Sequence, residues 1–97
     1  MDTIRKTIKS GDMLNLIAEE AAELAQAALK LRRATEATNP TPVSVIEAHD
    51  ALLEEVADVI NALDVWGINL HPSDKSVRHI ANEKLQRWAN RLEAAEQ

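Results

Sequence analysis

The fold is decided by residues 11–36, which read GDMLNLIAEEAAELAQAALKLRRATE and contain neither a proline nor an internal glycine. Apolar side chains recur in this stretch at intervals of three and four residues, which is the spacing of one face of an α-helix. They are Leu14, Ile17, Ala21, Leu24, Ala28 and Leu31. The pattern predicts a helix over residues 11–36 with one apolar stripe along its length.

The chain leaves that helix through residues 38–42, which read TNPTP. Proline cannot continue a helix, because its nitrogen carries no hydrogen and its ring clashes with the preceding turn, so this segment predicts a hairpin turn. Ser44 and Glu47 then have the spacing of a capping box, and Gly67 is a typical helix stop. The sequence therefore predicts a second helix over residues 44–66, antiparallel to the first.

Composition favours an all-α fold for the whole chain. The 97 residues include only two glycines and three prolines, and neither phenylalanine nor tyrosine, which favours helices over strands. A third helix is predicted over residues 73–95, and residues 2–9 are expected to form a short helix or an arm. A chain of this length holds one hydrophobic core, so residues 1–97 are predicted to form a single domain.

The apolar faces of the predicted hairpin are longer than one further helix can cover, since two helices of about 25 residues are each about 37 Å long. We therefore expect the hairpin and the third helix to assemble into a multi-chain helical bundle. The expected assembly is a homodimer or a homotetramer.

Charge and composition disfavour several classes of function. The chain has no cysteine, so it has no disulfide, thiolate metal site or cysteine nucleophile. Its net charge of -5 disfavours binding to nucleic acid polymers and anionic membranes. There is no run of about 18 apolar residues and no signal-peptide pattern, so we expect a cytoplasmic protein.

Two acidic pairs occupy the middle of the two predicted helices. Glu20 and Glu23 share a helix face, as do Glu55 and Asp58, because residues three apart are neighbours on a helix surface. Glu20 and Glu23 directly precede stripe residues of the first helix, and Glu55 and Asp58 directly precede two residues of a second apolar stripe. That second stripe consists of Leu52, Val56, Val59, Leu63 and Trp66. Antiparallel pairing of Glu20 with Asp58 has the same midpoint, Asn39, as pairing of Glu23 with Glu55. The four carboxylates are therefore predicted to converge.

Converging carboxylates repel one another, and a hard divalent cation relieves that repulsion. Magnesium, with manganese as a substitute, is the expected ion, because it combines a few carboxylates with water and substrate phosphates. This coordination points to phosphoryl or nucleotidyl chemistry. A diiron centre would need Glu-x-x-His pairs, and the sequence contains none.

Three segments resemble one known family. The sequences EEAAEL at residues 19–24 and EEVADV at residues 54–59 resemble the paired acidic motif of the MazG-like all-α nucleoside triphosphate pyrophosphohydrolases. The sequence NEKLQRW at residues 82–88 is similar to that family's Asn-x-Lys-apolar-x-Arg segment. The resemblance implies an acid-bearing helical hairpin, assembly into dimers or tetramers, and magnesium-dependent hydrolysis of a nucleoside triphosphate to monophosphate and pyrophosphate. Such an enzyme would serve nucleotide-pool housecleaning.

The resemblance also implies roles for individual residues. The expected metal ligands are Glu20, Glu23, Glu55 and Asp58. The expected catalytic residues are Glu19, Glu20 and Glu54, with Glu19 and Glu54 orienting water or holding a second metal. The expected phosphate contacts are Asn82, Lys84 and Arg87.

Two further substrate contacts are predicted from helical position. Lys30 lies on the stripe of Glu20 and Glu23, about 10 Å beyond Glu23 by helical rise, where it would touch the triphosphate tail. Asn61 lies one turn after Asp58 on the acidic face and would contact the sugar or the base.

Two alternatives to this function remain open. The related phosphoribosyl-ATP pyrophosphohydrolases share the acidic pairs, but they follow the aspartate with Tyr-His, whereas Val59 and Ile60 follow Asp58 here. The second alternative is a noncatalytic helical oligomerisation module, in which the acids are solvent-exposed and balanced by Lys30 and neighbouring arginines.

Overall fold

The computed structural model describes residues 2–36, 43–68, 70 and 75–96. This part of the chain is helical and contains no strand, which confirms the all-α prediction. The four helices are α1 (Asp2–Thr7), α2 (Ser10–Glu36), α3 (Val45–Trp66) and α4 (Lys75–Glu96).

The predicted helix limits agree with these bounds to within one residue at most ends. Residues 2–9, predicted as a short helix or an arm, begin with the helix α1. The predicted turn at 38–42 and the first two residues of the helix predicted over 73–95 lie outside the described residues. The chain forms two compact units, the first ending at Gly67 and the second beginning at Ile68.

Helix α3 begins and ends where the Ser44 capping box and the Gly67 stop predict. The backbone N–H of Glu47 donates a hydrogen bond of 3.1 Å to the Ser44 hydroxyl oxygen, as in one half of the predicted capping box. Gly67 ends the helix in the left-handed region at φ 115°, and its N–H donates to the Leu63 and Asp64 carbonyl oxygens. A side chain at position 67 would strain this backbone, so glycine is required for the stop.

Helix α1 packs against α3 through Arg5. The Arg5 Nε donates to the Val65 carbonyl oxygen at 3.1 Å, and its Nη2 donates to the Asp64 carbonyl oxygen at 2.9 Å. The last carbonyls of a helix have no partner within the helix and carry partial negative charge, so a guanidinium is well suited to them. Arg5 therefore connects the start of the chain to the far end of the hairpin.

Helices α2 and α3 run antiparallel. Glu23 lies beside Glu55, and Lys30, seven residues later, lines the same cleft as Ala48, seven residues before Glu55. The buried apolar residues of the hairpin are all small or flexible, and they are Met13, Ala27, Ala48, Ala62 and Val65.

The packed face of α2 keeps Ile17, Leu24 and Leu31 of the predicted apolar stripe, which are half-buried, but at the other positions it lies one residue earlier than predicted. Leu14 is 50% exposed and Ala28 is also exposed, whereas Met13 and Ala27 are buried. Alanine gains little from burial, so its spacing does not distinguish the packed side from the solvent side. This shift brings Glu20, half-buried in the structure, closer to the helix interface than the sequence indicates.

No helix among the described residues is long and apolar enough to cross a membrane. In the second unit, α4 is amphipathic and its large apolar side chains are exposed. They are Ile80, Leu85, Trp88 and Leu92.

Candidate metal centre

The four acids predicted to converge do so in the structure. One carboxylate oxygen from each of Glu20, Glu23, Glu55 and Asp58 lies within 4.8 Å of the corresponding oxygen of every other. The predicted antiparallel register is therefore present at this level of the hairpin. Their role as metal ligands stays a prediction.

The size of the cluster suits a hard cation. Ligand oxygens lie about 2.1 Å from magnesium, so two oxygens on opposite sides of the ion are about 4.2 Å apart. The carboxylate oxygens are at most 4.8 Å apart, so small rotations of the side chains would bring them to coordination distance.

Two buried carboxylate oxygens in the cluster lack a hydrogen-bond partner. The Oε2 atoms of Glu20 and Glu55 are inaccessible to solvent and have no hydrogen-bond partner in the described part of the chain. A buried oxygen of this kind is costly, because it has lost its water without gaining a donor. A bound cation would satisfy both atoms, so the residues present fit a divalent metal.

The electrostatics of the cluster also favour a bound cation. The pKa of Glu20 is raised above its ordinary value of 4.5, first by burial and then by the negative charges of Glu23, Asp58 and Glu55. The pKa of Glu55 is raised by burial, by the charges of Glu23 and Asp58, and by that of Glu54. A protonated Glu20 or Glu55 also gains a hydrogen bond with Glu23.

These shifts predict how the metal-free protein responds to pH. Because the pKa values of Glu20 and Glu55 are higher folded than unfolded, their stabilising contribution is present below about pH 4.5 and is lost as the pH rises through the folded values. Urea unfolding in a chelator between pH 4 and pH 8 measures the loss. The Glu20→Gln/Glu55→Gln double variant should lose less stability over this range than the wild type.

The exposed acid Asp50 on α3 provides the matched control, since Asp50→Asn should keep the wild-type pH dependence. Equal pH dependence in the wild type and the double variant would contradict the electrostatic description of the cluster.

A cleft of about 480 Å³ adjoins the cluster on the side toward Val43. It begins at Glu23 and Glu55 and continues along both helices. Its other lining residues are Gln26, Ala27, Lys30, Val43, Ala48 and Ala51. The structure therefore places the predicted substrate contact Lys30 on one cleft with two of the clustered acids. Sequence reasoning did not single out Gln26 or the alanines, because the cleft depends on how the two helices pack.

The remaining predicted residues of the hairpin lie beside the cluster. Glu19 and Glu54 are exposed neighbours of Glu20 and Glu55 and are not members of the four-oxygen group. Asn61 is exposed on α3, three residues beyond Asp58. The structure does not include Asn61 in the lining of the cleft.

The predicted phosphate contacts lie in the second unit. Asn82, Lys84 and Arg87 are all exposed on α4. Lys84 and Arg87 line a shallow cleft of about 230 Å³ together with Arg91. Sequence reasoning missed Arg91, although its position four residues after Arg87 puts it on the same helix face.

No protein-family model, curated protein or solved structure matches this chain. A centre of four carboxylates with two unsatisfied buried oxygens can bind a divalent cation, and the open cleft beside it can admit a second ligand.

Proposed function

We propose that the protein hydrolyses nucleoside triphosphates to nucleoside monophosphate and pyrophosphate with the aid of magnesium. The observation that carries the proposal is the cluster of Glu20, Glu23, Glu55 and Asp58, in which two buried oxygens lack a partner. The resemblance of residues 19–24 and 54–59 to the acidic motif of the MazG-like pyrophosphohydrolases supports it.

In this proposal the four clustered acids hold magnesium, with manganese as a substitute. The bound ion supplies Lewis acidity and neutralises negative charge on the phosphates. Glu20 and Glu55 are half-buried, so their carboxylates are held toward the centre rather than toward solvent. Glu19 and Glu54, exposed beside them, orient the attacking water and accept its proton.

The triphosphate carries its own negative charge, so it requires cations as well as a metal-bearing acidic centre. We assign Lys84 and Arg87 of α4 to phosphate oxygens, because both are exposed and line the same cleft. Asn82 on the same helix would donate a further hydrogen bond. Asn61 is proposed as a contact to the sugar or base.

Assembly into a homodimer or homotetramer is part of the proposal. Ile46, Leu53 and Ile60 are 74%, 55% and 45% exposed and lie seven residues apart on α3. This is heptad spacing, which in helical bundles marks a seam buried against another helix. Light scattering at micromolar concentration should give a mass of two or four chains.

The same exposed seam favours a second candidate, a noncatalytic oligomerisation module. The two candidates differ in their response to metal. A ligand of the folded state stabilises it by about 2.7 kcal/mol at a hundred times its dissociation constant, so magnesium should raise the melting temperature of the enzyme. A pure oligomerisation module should melt at the same temperature with magnesium and with chelator.

The decisive experiment is a screen of ribo- and deoxyribonucleoside triphosphates with magnesium, in which pyrophosphate and orthophosphate are measured separately. We expect equal amounts of nucleoside monophosphate and pyrophosphate, and no reaction in chelator. Release of orthophosphate from the triphosphate would reject the proposed cleavage site, and no turnover of any substrate would reject the enzyme.

A further inference from the structure

Helix α4 carries an exposed tryptophan in the middle of a cationic segment. Trp88 is 56% exposed, although tryptophan is on average highly buried in folded proteins. Residues 84–92, which read KLQRWANRL, contain three cations and no acid. The cations are Lys84, Arg87 and Arg91. Trp88 and its exposed neighbour Leu85 therefore form an apolar surface with positive charge beside it.

The aromatic and cationic side chains belong to one continuous surface. Lys84, Trp88 and Arg91 follow one another at intervals of four and three residues, so they share a helix face. An open cleft of about 370 Å³ lies on this face. Its lining residues are Ala81, Lys84, Leu85, Trp88 and Arg91. Lys84 and Arg91 also line the cleft that contains Arg87, so the face has an aromatic side and a cationic side that meet at these two residues.

The three cations are not paired with protein acids. Their side chains form no ion pair or hydrogen bond with any residue in the described part of the chain. The acid next to them, Glu83, is instead in contact with His79, whose Nε2 lies 3.0 Å from the Glu83 Oε1. Unpaired cations on one face can donate charge-assisted hydrogen bonds to an anionic ligand such as a phosphate.

We propose that Trp88 stacks on the base of the nucleoside triphosphate, while Lys84, Arg87 and Arg91 hold its phosphates. The inference rests on the proposed function, because it takes Lys84 and Arg87 as phosphate contacts. A nucleotide has a flat aromatic base at one end and anionic phosphates at the other, which matches the two sides of this face. Stacking accepts any base, since every base has a π face, so this contact recognises nucleotides as a class.

Other occupants match only one side of this face. A second copy of the same face of α4 would bring three cations of one chain against three of the other, and like charges repel. An uncharged apolar ligand would leave the cations without a partner, and inorganic phosphate would leave Trp88 exposed. A nucleotide is complementary to both sides.

The fluorescence of Trp88 measures the contact directly. The chain has two tryptophans, so Trp66→Phe leaves Trp88 as the only indole. In chelator, nucleoside triphosphate should quench the emission of this variant, excited at the red edge where the bases absorb little, and inorganic triphosphate should not. The reciprocal variant Trp88→Leu retains Trp66, whose emission should not change. Absence of quenching at Trp88, or equal quenching of both tryptophans, would overturn the assignment.

The kinetic test uses the same position. Trp88→Leu should raise the Michaelis constant for the triphosphate at least about fivefold, which corresponds to about 1 kcal/mol, because the base loses its stacking partner. Leucine is a good helix former and the position is exposed, so the variant should fold normally. Inhibition by inorganic triphosphate with magnesium should stay within about twofold of the wild type. Trp88→Phe, which keeps an aromatic ring, should restore the Michaelis constant to within about twofold.

Leu92→Ala is the matched control on the apolar side of α4. Leu92 is 55% exposed one turn after Trp88, and it lines neither of the two clefts. It should have the wild-type Michaelis constant, and light scattering should give the wild-type mass for both variants. If Leu92→Ala raises the Michaelis constant as much as Trp88→Leu, or if either variant lowers the mass, the face is an interface between copies and the assignment is wrong.

Arg91 has a separate test as the third phosphate contact. Arg91→Gln should weaken the nucleoside triphosphate and inorganic triphosphate by the same factor, at least about fivefold, because it removes a charge-assisted hydrogen bond that both ligands make. Wild-type affinity for both would show that Arg91 does not hold the phosphates.

These measurements separate the inference from the proposed function. Quenching of Trp88 by the nucleotide without hydrolysis of any triphosphate would support the α4 site and reject the pyrophosphohydrolase. Hydrolysis with equal Michaelis constants in the wild type and Trp88→Leu would reject the stacking contact and keep the enzyme.

Discussion

Each of the four variants Glu20→Gln, Glu23→Gln, Glu55→Gln and Asp58→Asn should lower magnesium-dependent hydrolysis at least about a hundredfold. The amide keeps the size of the side chain but removes the charge that a hard cation requires. The carboxylate oxygens of these residues lie within 4.8 Å of one another, so each variant removes one ligand from a single centre. Turnover at saturating triphosphate measures the loss of activity, and calorimetry measures the loss of magnesium affinity.

The metal-free variants should melt at the wild-type temperature or higher. Removing one negative charge relieves repulsion within the cluster. For Glu20 and Glu55 it also removes the charge from a carboxylate that has a buried oxygen without a hydrogen-bond partner. Asp50→Asn changes an exposed acid of α3 outside the cluster and should keep both activity and magnesium affinity. Unchanged magnesium affinity in all four cluster variants would show that these residues are not the ligands.

The second large effect is expected on α4. Lys84→Gln and Arg87→Gln should each raise the Michaelis constant or lower turnover at least about tenfold, equal to about 1.4 kcal/mol, because each removes a charge-assisted hydrogen bond to phosphate. Magnesium affinity should remain close to that of the wild type, since neither residue belongs to the acidic cluster.

Arg78→Gln is the matched control for α4, because Arg78 is exposed on the same helix and lines none of the clefts described above. It should have wild-type kinetics. If Lys84→Gln and Arg87→Gln also have wild-type kinetics, the phosphate contacts lie elsewhere, and Arg91 and Lys30 are the next residues to substitute.

Local signals in the sequence predicted the helices well. The limits of α2 and α3 follow from uninterrupted apolar spacing, the Ser44 cap and the Gly67 stop, all of which act within a few residues. Helix α4 was predicted in the same way, from the helical spacing of Val77, Ile80, Leu85, Trp88 and Leu92. Helix limits can be predicted from the sequence because a helix is stabilised by contacts between residues three and four apart.

The convergence of the four acids was also predictable, for a related reason. In an antiparallel hairpin the register depends on the position of the turn, and the two acidic pairs have a common midpoint in the TNPTP segment. The pairing of Glu23 with Glu55 therefore needed only the sequence numbers and the assumption of a hairpin.

The tertiary structure alone decided three features. The first is the side of α2 that packs against α3, with Ala27 buried and Ala28 exposed. The second is the hydrogen bond from Arg5 to the Val65 carbonyl oxygen, and the third is the alanine-lined cleft beside the cluster. Alanine is too small for its spacing to mark a buried face, and the Arg5 contact joins residues 60 apart that share no local signal. Spacing along a helix is encoded locally, whereas the rotation of one helix against another depends on the fit of all their side chains together.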